Sequence, residues 1–353
     1  MSEAPLRVLI VDDSATVRHH LTALIAETSD MVVIGEAHDG QEAIALAVRL
    51  QPNVISMDVL MPRLDGLAAT RHLMQQMPLP IVIVTSRLRR SEVDLAFLAL
   101  QAGALAVVET PPSRDQPDFP VRRDQFLTTL RAMAKVSLVR RWGQTDQLPA
   151  AAAALHEAAP SVVNIRPQVI AIGASAGGPM ALRTILGALP AGLSVPIAVV
   201  QHMAEGFVDG MVRWLDACTP LRVMEAQQGQ IVRPGEVVVA GSGAHLTLQR
   251  AGNGVRVTLL TDRLNSSYQP SVDVLFESLA QNFGARALGI LLTGMGADGA
   301  RGLLAMRQRG ARTLVQDRQT CLVYGMPGAA VERGAAEQIV PLDRIAPTIL
   351  DLL

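Results

Sequence analysis

The chain has 353 residues, a length that suits about two domains, each with a core of its own. Hydrophobic residues make up 49% and aromatic residues 3%, and the formal net charge is -1. The cores are therefore aliphatic, and neither a groove of stacking rings nor a basic face for nucleic acid is expected. Cys218 and Cys321 stand in no metal-ligand spacing and frame no disulfide scaffold, which points to free thiols in a reducing compartment.

Met1 to Pro5 has no basic region, apolar core or cleavage site of a secretion signal. No apolar stretch approaches the roughly 18 uncharged residues of a membrane span, so a soluble, cytoplasmic protein without membrane insertion is expected. Leu6 to Val11 is an apolar strand ending in Asp12 and Asp13, and Ser14 is placed to cap a helix through Val17, Leu21, Leu24 and Ile25. The unit recurs: Met31 to Glu36 with a helix from Gly40, Val54 to Met57 ending in Asp58, Ile81 to Val84 ending in Thr85 and Ser86, then Ala104 to Val108. Five strand-helix units imply a doubly wound parallel sheet with its sites at the carboxyl ends of the strands.

Asp12, Asp13 and Asp58 then converge at one sheet edge, where they repel one another unless a hard cation such as Mg2+ sits among them. With its charge screened, Asp58 is able to attack a phosphoryl donor, and the Thr85 hydroxyl is within the same edge to bond the product. The alternative is that these acids only cap helices and turns. Val11-Asp12-Asp13-Ser14, the run Met57 to Gly66 and Val84-Thr85-Ser86 together resemble a response-regulator receiver domain over nearly the whole of residues 1–125. That resemblance implies Asp58 as phosphoacceptor, Asp12, Asp13 and the Leu60 carbonyl as further Mg2+ ligands, Thr85 as the switch hydroxyl and a sensor histidine kinase as phosphodonor. One departure stands out: where receivers carry a lysine before a proline, with an aromatic three positions earlier, this chain has Thr110 and Val107. Arg87, just past Thr85, is a candidate to replace the missing cation.

Residues 126–166 read as a linker. Phe126, Leu127, Leu130, Met133 and Ala134 share one helical face, and Gln144 to Arg166 is alanine- and proline-rich with no strand pattern.

From residue 167 the chain reads as a second α/β unit. Val169 to Ile172 is an uninterrupted apolar strand, Pro179 opens a helix, and Gly173-Ala174-Ser175-Ala176-Gly177 between them fits a G-x-S-x-G nucleophile turn. A capping serine fits the same residues, and so does a dinucleotide turn, although Ser175 stands where that fingerprint needs glycine. Ile197 to Val200 ends at Gln201-His202, and Leu288 to Leu292 leads through Thr293-Gly294-Met295-Gly296-Ala297-Asp298-Gly299 into another helix. Ser175, His202 and Asp298 thus all fall at carboxyl ends of strands, the parts of a charge-oriented nucleophile, with the Met295 amide placed to stabilise an oxyanion. The order Ser, His, Asp is not that of α/β-hydrolases. His245 precedes an alternating stretch, Leu246, Leu248, Val255, Val257 and Leu259 across Gly252-Asn253-Gly254, which reads as a hairpin and gives the histidine a structural place.

The stretches Ile172 to Pro179, Val200 to Met203, Tyr268 to Phe276 and Leu292 to Gly299 resemble the catalytic domain of chemotaxis-type protein-glutamate methylesterases, over nearly all of residues 167–353. An amino-terminal receiver is that family's architecture. The resemblance implies two doubly wound parallel-sheet domains, a flavodoxin-like receiver and a Rossmann-like methylesterase domain, joined by a helical, Ala- and Pro-rich linker. It also implies hydrolysis of glutamate methyl esters on the cytoplasmic helices of methyl-accepting receptors with release of methanol, deamidation of receptor glutamines in some members, and no cofactor for the ester reaction. Ala176 stands where many relatives have threonine, and Ala240 to His245 lacks the usual proline. A scaffold that binds receptor helices without turnover is the competing reading.

Overall fold

The computed structural model describes residues 4–85, 90–136, 165–203, 206–252, 254–262 and 268–353. Arg87 and residues 137–164 of the linker lie outside the described residues.

The first unit alternates β1 (Leu6–Val11), α1 (Ala15–Ala26), β2 (Met31–Ala37), α2 (Gly40–Leu50), β3 (Val54–Met57), α3 (Gly66–Gln76), β4 (Ile81–Thr85), α4 (Arg90–Gln101), β5 (Ala106–Glu109) and α5 (Phe119–Ala134). Its five strands are parallel in the order β2-β1-β3-β4-β5, so consecutive units wind out to both sides of β1. Ser14 caps α1 through its hydroxyl as expected, and Asp39 and Asp65 cap α2 and α3 through their carboxylates.

The helix expected to open the linker is α5, and it belongs to this sheet. Phe126, Leu127, Leu130 and Met133 bury completely among Val8, Ile10, Val82 and Val84. An apolar stripe of that width is satisfied by a sheet face, and the chain supplies one at once, so the helix docks there.

The second unit runs β6 (Val169–Ala174), α6 (Gly178–Ala188), β7 (Ile197–Gln201), α7 (Val208–Cys218), β8 (Arg222–Glu225), β9 (Ile231–Val232), β10 (Glu236–Val239), β11 (His245–Ala251), β12 (Gly254–Leu260), α8 (Val272–Asn282), β13 (Ala287–Leu291), α9 (Ala300–Gln308), β14 (Arg312–Gln316), α10 (Met326–Glu332), β15 (Gln338–Val340) and α11 (Leu342–Leu352). Seven strands form a parallel sheet in the order β15-β14-β13-β6-β7-β10-β8, and β11 pairs antiparallel with β12 as the alternation required. Every residue of β6, β7 and β13 is buried, the pattern of strands covered on both faces. The winding reverses at β6, whose neighbours are β13 and β7, and this is where doubly wound sheets open a crevice beyond their carboxyl ends.

Candidate active site

Three adjacent strands deliver the three residues singled out above. Ser175 follows β6, His202 follows β7, and the loop after β13 carries Asp298 to the start of α9. The nucleophile turn is made by Gly177 at φ 79°, a left-handed conformation that costs glycine little. Close approach of the β13 loop then needs a second glycine, since a Cβ on Gly294 would stand 2.7 Å from the Ser175 Cβ.

Side chains the sequence did not single out fix this turn. The buried Gln201 donates from Nε2 to the carbonyls of both Ser175 and His202, at 2.8 and 2.9 Å, tying the two strand ends together. The Ser175 amide donates to the Thr293 carbonyl at 3.0 Å, while the Thr293 hydroxyl donates to the Ala176 carbonyl at 2.9 Å.

Asp298 accepts four hydrogen bonds. Oδ1 takes the Ser271 hydroxyl at 2.8 Å and the Asp273 amide at 3.1 Å; Oδ2 takes the Val272 amide at 2.7 Å and His202 Nε2 at 2.8 Å. Burial opposes charge here, yet His202 and the two amides hold the Asp298 carboxyl below the usual carboxylate range. An ionised carboxylate only accepts, so Nε2 carries the imidazole proton and Nδ1 keeps the lone pair. Nδ1 is buried and has no hydrogen-bond partner among the described residues.

Ser175 and His202 line one cavity of about 600 Å³ together with Met295, Tyr268 and Pro270. The Ser175 hydroxyl makes no hydrogen bond among the described residues, and the amides of Ala176 and Met295, residues that line the same cavity, donate to no acceptor among them. A free hydroxyl, a free imidazole lone pair and two free amides around one space are the parts of acyl transfer through a tetrahedral intermediate. The first unit lines the same cavity with Leu105, Val107, Val121 and Thr128.

A second cluster lies in the first unit. Asp12, Asp13 and Asp58 each offer a carboxylate oxygen within 4.8 Å of the others. Burial, with the Asp13 charge beside it, pushes the Asp12 carboxyl up to about 6 against the Ser14 amide that bonds it. Three crowded carboxylate oxygens of which one resists ionisation fit a small hard cation. Thr85 ends β4, the strand beside β3 that leads to Asp58, and Leu60 lies two residues past Asp58 with an exposed side chain. Thr110 brings no cation: its amide donates to the Thr85 carbonyl, and its buried hydroxyl has no partner among the described residues.

Comparison with known proteins agrees with both halves. Residues 170–349 match the CheB methylesterase family, and residues 8–116 match the response regulator receiver domain. A protein-glutamate methylesterase/protein-glutamine glutaminase of Geobacter metallireducens is 41% identical, covering 98% of this chain and 99% of the relative. One of Syntrophus aciditrophicus is 39% identical over 98% of each. The crystal structure of the Thermotoga maritima CheB methylesterase catalytic domain, 33% identical, superposes with a TM-score of 0.52 over 53% of this chain and 99% of that one. A serine at the switch point of one parallel sheet, an acidic cluster on another, and relatives matched end to end make this chain a member of the CheB methylesterase family with an amino-terminal receiver domain.

Proposed function

We propose that this chain is a phosphorylation-regulated serine hydrolase that demethylates glutamate methyl esters on the cytoplasmic helices of methyl-accepting receptors and deamidates glutamine at the same kind of site. The observation that carries this reading is His202, which lines one cavity with Ser175: its Nε2 is committed to Asp298, while its buried Nδ1 has no partner among the described residues. In the reaction Nδ1 takes the Ser175 proton as Oγ bonds the ester carbon. Asp298 stabilises the imidazolium, and the amides of Met295 and Ala176 receive the oxyanion. The imidazolium returns its proton to the departing methoxide, giving methanol. Water, deprotonated by the same nitrogen, then releases glutamate and restores the serine. Deamidation follows the same steps with ammonia as the leaving group.

In the receiver, Asp58 is the phosphoacceptor and a sensor histidine kinase the donor. Asp12, Asp13 and Asp58, with the Leu60 carbonyl, would hold Mg2+, which when bound screens the carboxylates and the incoming phosphoryl group. Thr85 reads the modification. The protein acts in the cytoplasm, where both kinase and receptor helices are reached, and no helix among the described residues is long and apolar enough to cross a membrane.

The test is methanol release from a methylated receptor fragment by the full chain, with and without a small phosphodonor and magnesium. Wild type releases methanol, Ser175→Ala releases none, and the phosphodonor raises the wild-type rate. Methanol release that persists in Ser175→Ala would overturn the assignment, and absence of turnover in wild type would favour the scaffold reading.

A further inference from the structure

One short segment holds both partners of the His-Asp pair. The Tyr268 ring lies on the His202 imidazole with centroids 4.3 Å apart and planes 5° apart. Three residues later the Ser271 hydroxyl and the amides of Val272 and Asp273 supply three of the four hydrogen bonds to Asp298. The segment is anchored in turn. The Ser271 amide donates at 3.2 Å to Nδ1 of His245, which is fully buried and whose burial lowers its affinity for a proton, so the acceptor is kept. The Ser271 hydroxyl also caps α8.

We infer that Tyr268 and Ser271 are positioning residues for the esterase reaction, a clamp that sets the His202 ring plane and the Asp298 carboxylate relative to each other from within six residues of backbone. The inference rests on the serine-hydrolase reading above. Tyr268 stays 41% exposed, so core packing does not account for its placement. Stacked on the imidazole, it blocks rotation of the ring, and its π face favours the imidazolium that forms when Ser175 gives up its proton. The Ser271 hydroxyl fixes the one Asp298 oxygen that His202 does not use, and so keeps the other on Nε2.

The experiment uses the full chain with phosphodonor and magnesium, and separates kcat from KM for methanol release. Tyr268→Leu is expected to lower kcat by about tenfold to a hundredfold, the cost of a slightly misplaced catalytic group, with KM within about twofold of wild type. Tyr268→Phe, which keeps the ring, is expected to stay within about threefold. Ser271→Ala is expected to fall at least about tenfold and Ser271→Thr, which keeps the hydroxyl, to recover most of that. The far-downfield proton resonance of His202 Nε2–H, assigned by its loss in His202→Gln, should broaden or shift in Tyr268→Leu and Ser271→Ala and persist in Tyr268→Phe and Ser271→Thr. A purely structural role would lower the melting temperature and leave that resonance and the kcat of the folded enzyme alone. Wild-type kcat in Tyr268→Leu, a loss lying wholly in KM, or Tyr268→Phe falling as far as Tyr268→Leu overturns the clamp. Residual turnover in Ser175→Ala overturns the hydrolase reading itself, so the two failures are distinct.

Discussion

Asp298 is 9% exposed and still charged, because four donors surround it. Replacing it by asparagine puts an amide NH2 among donors, so Asp298→Asn either loses the bond to His202 or turns the ring to the wrong tautomer. A drop in kcat of roughly 10³ to 10⁴ is expected, the size seen when a catalytic histidine loses its orienting carboxylate, and steady-state methanol release checks it. A drop under tenfold would mean that His202 is oriented by other contacts. The carboxyl is also depressed by folding, so its contribution to stability is present above the unfolded carboxylate range near pH 4 and disappears as pH falls through the folded value. Ser175, His202, Met295 and Asp298 were legible because each follows an apolar run and is therefore sent to one end of a sheet. Gln201, Thr293 and the clamp residues were not, since what they do depends on contacts between strands that no spacing in the chain records.

At the scale of elements the buried parallel strands and the hairpin were legible from period and apolar runs, whereas the sequence reading assigns no strand between Arg222 and Val239, where three strands of two to four residues are too short to show a period. The same reading sets α5 apart from the receiver sheet because an apolar stripe does not name the surface that will cover it. Two consequences follow for the acidic edge. Asp12, with its carboxyl raised to about 6, makes the metal-free receiver less stable as pH rises from the unfolded carboxylate value toward 6, and the penalty is complete above that. Mg2+ bound at the proposed site would relieve it only where Asp12 is ionised, so the rise in melting temperature on adding Mg2+ should be larger near pH 7.5 than near pH 5, as checked by calorimetry; an equal rise at both would refute the proposed coupling. Thr110→Lys, at the end of β5, replaces a buried unpartnered hydroxyl by the cation that receivers carry there. It is expected to increase the activation ratio with a phosphodonor by severalfold, through a charge-assisted bond to the phosphoryl group. An unchanged ratio would show that Thr110 is not what limits the response.

Across the whole molecule the receiver lies against the catalytic unit through α4 and α7. Phe97 of α4 stacks on Trp214 of α7 with centroids 5.4 Å apart, and Asp94 accepts from Arg213 at 3.0 Å. Val107 and Val121 of the receiver line the same cavity as Ser175. Residues of the receiver thus stand in the same cavity as Ser175 and His202, where a receptor segment has to enter. Access then depends on how firmly the two units hold, and the contacts named are modest: about 0.5–1.5 kcal/mol for an aromatic pair and up to ~1 kcal/mol for an exposed ion pair. Phe97 is fully buried, so its removal would also destabilise the packing around it, and Trp214, only partly buried, is the side to change. Trp214→Leu in the full chain is expected to raise methanol release without phosphodonor by about threefold to tenfold, with little change in the phosphorylated rate. Asp94→Ala should raise it by less than about threefold, and high salt should reproduce that effect in wild type but not the Trp214→Leu effect. If neither variant moves the unphosphorylated rate, the contact between α4 and α7 does not hold the receiver over Ser175.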